Sequence, residues 1–248
     1  MRLQNKKAIV VGGSSGIGAS IAEGFAREGA HVGIIGRRQE KIDAVLATLK
    51  RLDPHALSHA ADMRGAKACA AAINLMTQRL GGIDILVNSQ GITYIKPSAE
   101  LSEEEYDAVI DTNLNSVFFC CQAAYPHMKG RGGAIISIAS LAGYRGWPLA
   151  APYAASKHGV IAYTRTLAAE WAADKVRVNS ISPGYFATEL TSAMKPDRVA
   201  NATARTPMRR FGELPELQGA AIFLASDEAS YVTGADIPVD GGFLAKGI

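Results

Sequence analysis

Short aliphatic runs recur along this chain, and between them the apolar residues fall at helical spacing. Lys7-Ala-Ile-Val-Val11 and residues 32–36, 56–60, 83–88, 133–139, 176–182 and 235–239 each read as a strand buried on both faces. Ile17, Ile21, Ala22 and Phe25 repeat with the period of a helix that stops near Gly29. Longer helical patterns run from about 103 to 129 and from about 153 to 173. Strands alternating with helices predict β-α-β units. The expected fold is α/β, a Rossmann-type doubly wound parallel sheet of about seven strands. No linker, charge run, low-complexity stretch or fixed-period repeat divides the chain, so one domain spanning 1–248 is expected.

The two long helical patterns carry more apolar residues than one buried stripe requires. Val109, Ile110, Val117, Phe118 and Cys121 lie on the first, and Val160, Ile161, Leu167 and Trp171 on the second. A second apolar face points to a partner subunit; the alternative is that all these residues pack on the chain's own sheet.

Composition narrows the functional classes. An apolar content of 48% supports a sizeable core, and 26 basic against 23 acidic residues leave a net charge of only +3 with no basic stripe. Nucleic acid and membrane surfaces are not expected partners. No segment offers a signal-peptide core or the ~18 apolar residues needed to span a bilayer. Cys69, Cys120 and Cys121 form no disulfide framework and read as reduced thiols, which favours a cytoplasmic protein. His55 and His59 lack an accompanying acid or cysteine, so no metal site is expected.

The candidate chemistry begins at the first strand. Gly12-Gly-Ser-Ser-Gly16-Ile-Gly18 follows it and opens a helix. In that setting glycines let backbone approach a pyrophosphate, and the helix N-terminus supplies free N–H groups. The second strand ends in Gly36-Arg37-Arg38. Gly36 stands where an NAD-selective site places a carboxylate, and two guanidiniums attract a 2′-phosphate. With Ser15 as a further donor, this predicts NADP over NAD. Arg37 and Arg38 could instead begin a solvated helix with Glu40 and Lys41.

Tyr153 and Lys157 are one helical turn apart. A cation beside a phenol favours the phenolate and suits it to acid/base work near neutrality. Ser140 ends the apolar run from Gly133, where a strand end can meet the helix carrying Tyr153.

These residues resemble the short-chain dehydrogenase/reductase family over nearly the whole chain. The likeness includes Gly12, Gly16 and Gly18, then Asp62, Asn88-Ser-Gln-Gly91, Asn113, Ser140, Tyr153 and Lys157. It continues through Pro183-Gly184 to Val239-Asp-Gly-Gly242. Val11 departs from the usual Thr, and Ser89-Gln90 from the usual Asn-Ala, which places a bulkier amide beside the nicotinamide ribose. The resemblance implies hydride transfer at a secondary alcohol or ketone, with Tyr153 as proton carrier and Ser140 fixing the substrate oxygen. Lys157 would also hold ribose hydroxyls, and Asn113 a water leading to solvent. It implies cofactor contacts from Ser14, Ile17, Met63, Asn88, Gly91, Pro183, Gly184 and Thr188, and adenine recognition by Asp62. It further implies a substrate lid near 188–212 and a homotetramer in which the two long helices pair, with Phe243 and Leu244 in the other contact.

The segments Pro183–Thr191, Arg205–Gly212 and Asp240–Ala245 resemble the branch acting on gluconate and 2-deoxy-gluconate. A sugar acid or polyol is therefore the expected small-molecule substrate. Arg145, and after it Arg205, Arg209 and Lys96, are candidate carboxylate partners, and Tyr185 a further substrate contact. Tyr94, Tyr144, Trp147, Tyr185 and Phe186 could instead line an apolar pocket for a 3-oxoacyl thioester or xenobiotic ketone. A nucleotide-binding regulatory protein without catalysis is the reading of another class; an intact Ser140, Tyr153 and Lys157 argue against it.

Overall fold

The structure is a computed structural model and describes residues 1–192 and 194–246. Seven strands form one parallel sheet: β1 (Lys7–Val11), β2 (His31–Gly36), β3 (Leu57–Ala60), β4 (Ile85–Asn88), β5 (Gly133–Ile138), β6 (Val176–Pro183) and β7 (Asp236–Val239). The helices are α1 (Gly16–Arg27), α2 (Gln39–Leu49), α3 (Ala66–Leu80), α4 (Glu103–Ile110), α5 (Ser116–Met128), α6 (Ala151–Trp171), α7 (Glu189–Ser192), α8 (Pro196–Arg205) and α9 (Gln218–Ala225).

Strand β1 shows why the aliphatic runs are continuous. Ala8 and Val10 pack with Phe25 of α1 and Leu224 of α9 on one face. Ile9 and Val11 pack with Met76 of α3, Cys120 of α5 and Val160 of α6 on the other. Side chains alternate across a strand, and helices on both sheet faces leave neither set of positions open to water.

The strand order is β3-β2-β1-β4-β5-β6-β7. Winding reverses between β1 and β4, whose pairing places Val11 beside Asn88. The crevice beyond the carboxyl ends at such a reversal is the ligand-binding position of open α/β sheets.

One expected element is divided. The helical pattern from 103 to 129 is interrupted by a wider π turn over Asp111–Asn115, between α4 and α5. The turn carries Asn113 inward, where Oδ1 accepts from Ile92 N and Nδ2 donates to Ile92 O, both at 2.8 Å. Such π turns are frequent at functional sites, where they re-aim a side chain.

Candidate active site

A cleft of about 480 Å³ opens at the reversal point. Its walls come from the ends of six strands: the loops after β1, β2, β3, β4, β5 and β6. Of the residues singled out from sequence, Gly12, Ser14, Ser15, Gly16, Ile17, Arg37, Arg38, Asp62, Met63 and Gly91 line it. So do Ser140, Tyr153, Lys157, Pro183, Gly184 and Thr188.

The glycine loop is shaped for a close approach. Gly12 has φ +75°, and a Cβ there would lie 2.6 Å from Gln90 N. Gly18 does not line the cleft; it lets α1 pack on the loop, since a Cβ would lie 2.3 Å from Gly12 O. Ser15 caps α1 without a side-chain bond to its first turn, which contains no acid. Its hydroxyl and the first amides of α1 are therefore available to an anion.

At the adenosine end, Gly36 is backed by Ser14, and Arg37 and Arg38 are exposed. Asp62 is not alone there. Arg64 Nε and Nη2 donate to Asp62 Oδ2 at 2.9 and 2.6 Å, and this pair holds the Asp62 carboxyl below its usual range. Arg64 lines the cleft and was missed from sequence, although an acid and an Arg two residues apart in a loop are a local signal.

At the other end, Lys157 is buried and its Nζ donates to Ile138 O at 2.7 Å. It stands 5.7 Å from the centre of the Tyr153 ring. Burial lowers its pKa from 10.5 to about 8. The Tyr153 phenol moves the opposite way from the sequence expectation. Desolvation raises it, and the neighbouring Ser140 hydroxyl only partly offsets the rise. The physical reason is that Lys157 is turned to the end of β5 and is itself desolvated, so burial outweighs the cation. Ser140 Oγ also accepts from Ala142 N at 3.1 Å, which fixes its side chain.

Four expected site residues stand behind or beside the cleft. Asn113 is fully buried, and its carboxamide and Lys157 Nζ flank Gly91, 3.6 and 3.7 Å from where a Cβ would stand. On the same turn, Asn115 Nδ2 donates to Asp111 Oδ1 at 2.8 Å. Asn88 lies under the loop, donating to Ser137 Oγ at 3.4 Å and toward Cys121 Sγ at 3.3 Å. Arg145 points to the C-terminal segment, with Nη2 3.4 Å from Leu244 O. Tyr185 packs among Trp147, Phe211 and Phe243 with ring centres 5.8, 5.3 and 5.9 Å away. Gln90, the residue in place of the usual Ala, extends to α5 and donates to Ser116 Oγ at 2.8 Å.

Among the described residues no His/Cys/Asp/Glu cluster could hold a metal, and no helix is long and apolar enough to cross a membrane. The glycine loop, the open N-terminus of α1 and the cations beyond Gly36 fit a dinucleotide.

Comparison with known proteins agrees with this geometry. Residues 11–244 match the family described as enoyl-(acyl carrier protein) reductase. The chain is 41% identical over 243 residues to the 3-oxoacyl-[acyl-carrier-protein] reductase of Chlamydia trachomatis, covering 97% of this chain and 98% of the relative. It is 40% identical over 250 residues to the 2-dehydro-3-deoxy-D-gluconate 5-dehydrogenase of Escherichia coli, covering 98% and 97%. The gluconate 5-dehydrogenase of Burkholderia cenocepacia, solved with NADP and tartrate, superposes with a TM-score of 0.94 at 36% identity, covering 99% of this chain and 98% of that one. The chain belongs to the short-chain dehydrogenase/reductase family. It is an NAD(P)-dependent oxidoreductase acting on CH–OH groups.

Proposed function

We propose that the protein is an NADP(H)-dependent dehydrogenase of a sugar acid or related polyol. The observation that carries the cofactor choice is Gly36 followed by two exposed arginines at the adenosine end of the cleft. Arg37 and Arg38 attract the 2′-phosphate, Ser15 adds a donor, and no carboxylate at position 36 repels it. Tyr153, Lys157 and Ser140 meeting in one cleft weigh against a silent binding module.

When bound, the nicotinamide supplies the hydride chemistry. Ser140 donates to the substrate oxygen and fixes it beside Tyr153. In reduction Tyr153 Oη gives its proton to that oxygen, and in oxidation the phenolate takes it. Lys157 then turns from Ile138 O toward the phenolate, whose charge offsets the ammonium's own desolvation. Asn113 holds the loop at Ile92 and a water path from Lys157. The segment 188–212, apart from Ala193, covers the substrate as a lid.

The sugar-acid reading draws on the gluconate-oxidising relatives named above. The Chlamydia relative supports a second reading, reduction of a 3-oxoacyl thioester. A panel of sugar acids, polyols and 3-oxo thioesters, each with NADP(H) and NAD(H) and followed at 340 nm, decides between them. Higher kcat/KM with NAD(H) would overturn the cofactor reading.

We further infer a cytoplasmic homotetramer. The support is the half-buried aromatic surface along α5 and α6, where Phe118 meets Tyr163 at 5.2 Å and Tyr125 stacks on Trp171 at 4.4 Å.

A further inference from the structure

Beside the cleft, next to its lining residues Gly184 and Phe186, the aromatic rings of Trp147, Tyr185, Phe211 and Phe243 form a cluster that ends in the cation of Arg205. Trp147 lies in the stretch between Ser140 and Tyr153. Tyr185 lies between Gly184 and Phe186, which both line the cleft. Trp147 and Tyr185 are 5.8 Å apart between ring centres, and Tyr185 and Phe243 are 5.9 Å apart. The turn presenting Phe243 is fixed by Asp240, whose carboxylate accepts from Gly242 N at 2.9 Å and Leu244 N at 2.8 Å. The Arg205 guanidinium rests on the Phe243 ring, 5.2 Å from its centre.

Arg205 is the last residue of α8, and Arg198 lies two turns before it. The inward face of α8 runs through Val199, Ala202 and Thr206, and Arg198 and Arg205 stand exposed along its edge, one on either side of Ala202 in the sequence. Both guanidiniums act on the Tyr185 hydroxyl, favouring its ionised form against the effect of burial.

The other cations named from sequence are already engaged. Lys96 Nζ pairs with Glu105 at 2.5 Å, Arg209 Nη1 donates to Ala204 O at 2.6 Å, and Arg145 reaches Leu244 O. Arg210 is bidentate on Glu216 at 2.7 Å. Among the described residues no carboxylate pairs with Arg198 or Arg205.

We propose that Arg205, assisted by Arg198, is the anchor for the substrate carboxylate, with the carbon chain lying along Trp147 and Tyr185. This rests on the sugar-acid reading above. It assigns specificity to α8: the helix binds the acid group while Ser140 and Tyr153 hold the reacting carbinol. An aromatic wall suits the C–H face of a polyol chain, and a guanidinium already seated on a ring spends little further entropy in pairing with a carboxylate.

The test uses two probes of the same chain, D-gluconate and the neutral D-gluconamide. Each is titrated calorimetrically into Tyr153→Phe enzyme loaded with NADP⁺, with and without Arg205→Gln. A lost charge-assisted bond predicts gluconate binding weaker by roughly 10- to 100-fold, with gluconamide changed by less than about 2-fold. Arg198→Gln should weaken gluconate by a smaller factor, and Arg205→Lys should restore part of the loss. Equal gluconate affinity with and without Arg205, equal losses for both probes, or no preference for the acid over the amide would overturn the proposal. Failure of the wild-type enzyme to oxidise any sugar acid in the substrate panel overturns the substrate reading instead, and the titration then still decides the anion site.

Discussion

Ser14 fills the space that any side chain at Gly36 would need. A Cβ at position 36 would lie 2.5 Å from Ser14 Oγ and 2.8 Å from Ser14 Cβ, with Ile42 Cγ1 at 3.3 Å. The missing carboxylate at the end of β2 is thus a packing fact as well as a charge fact. The glycine loop and the end of the second strand are fitted to each other, and position 36 cannot gain a side chain without a shift of Ser14.

The coupling predicts the outcome of a cofactor switch. Gly36→Asp alone should strain the loop by about 1–3 kcal/mol, as overpacking does, and lower the melting temperature by roughly 3–10 °C. Adding Ser14→Gly makes room for the carboxylate. The double variant should recover most of the melting temperature and shift kcat/KM at least about tenfold toward NAD(H), the scale of one charge contact. A stable Gly36→Asp single variant, measured by calorimetry, would contradict the packing argument.

Arg37 and Arg38 are both exposed, so their effect should be electrostatic and screened. Replacing both with Ala should weaken NADPH binding by roughly 10- to 100-fold at low salt and leave NADH binding nearly unchanged. Fluorescence titration at low and high salt checks this, and the NADPH difference should shrink as salt rises. Equal loss for both nucleotides would point to a folding defect instead.

Much of this arrangement is legible in the sequence, for a physical reason. Strands buried on both faces must be aliphatic throughout, so β1 and β6 stand out without tertiary information. The glycine loop and Tyr153/Lys157 are likewise local patterns with fixed spacing. What is not legible depends on residues far apart in the chain. Gly36 meets Ser14 only because β2 pairs with β1, and Gln90 meets Ser116 across 26 residues. The Tyr153 phenol is raised rather than lowered because burial depends on everything packed around it. A helical repeat also could not show that the turn at Asp111–Asn115 widens to carry Asn113 inward.

Removing the phenol should stop turnover without unfolding the site. Tyr153→Phe deletes one hydroxyl and should lower kcat by about 10²–10⁴-fold, the range of general acid–base catalysis, with cofactor affinity kept. Ser140→Ala should fall in the same direction if, as proposed, Ser140 fixes the substrate oxygen; its hydroxyl already stands beside the Tyr153 phenol. Single-turnover hydride transfer with bound NADPH separates this loss from slow product release.

Assembly is tested by sedimentation at low micromolar concentration. A particle near four times 26.1 kDa is expected. Replacing Phe118 and Trp171 with charged residues should split it, since these half-buried aromatics would each lose a partner surface. A wild-type monomer would rule out the tetramer and leave the chemistry untouched.

Lys157 should weaken the cofactor-free fold. Its pKa falls from 10.5 to about 8 because the ammonium is buried, with Ile138 O the acceptor its Nζ reaches. Below about pH 8 the lysine is charged in both folded and unfolded chains, so the folded state carries the whole desolvation cost, on the order of 3 kcal/mol. Between about 8 and 10.5 the folded protein releases the proton first, and stability rises with pH by linkage. Lys157→Met, which keeps the volume and removes the charge, should therefore stabilise the cofactor-free protein at pH 7. That gain should shrink steadily from pH 8 toward 10.5, while turnover is lost throughout. Urea unfolding of both proteins across this range measures it; a methionine variant less stable than wild type at pH 7 would mean that the bond to Ile138 outweighs the buried charge.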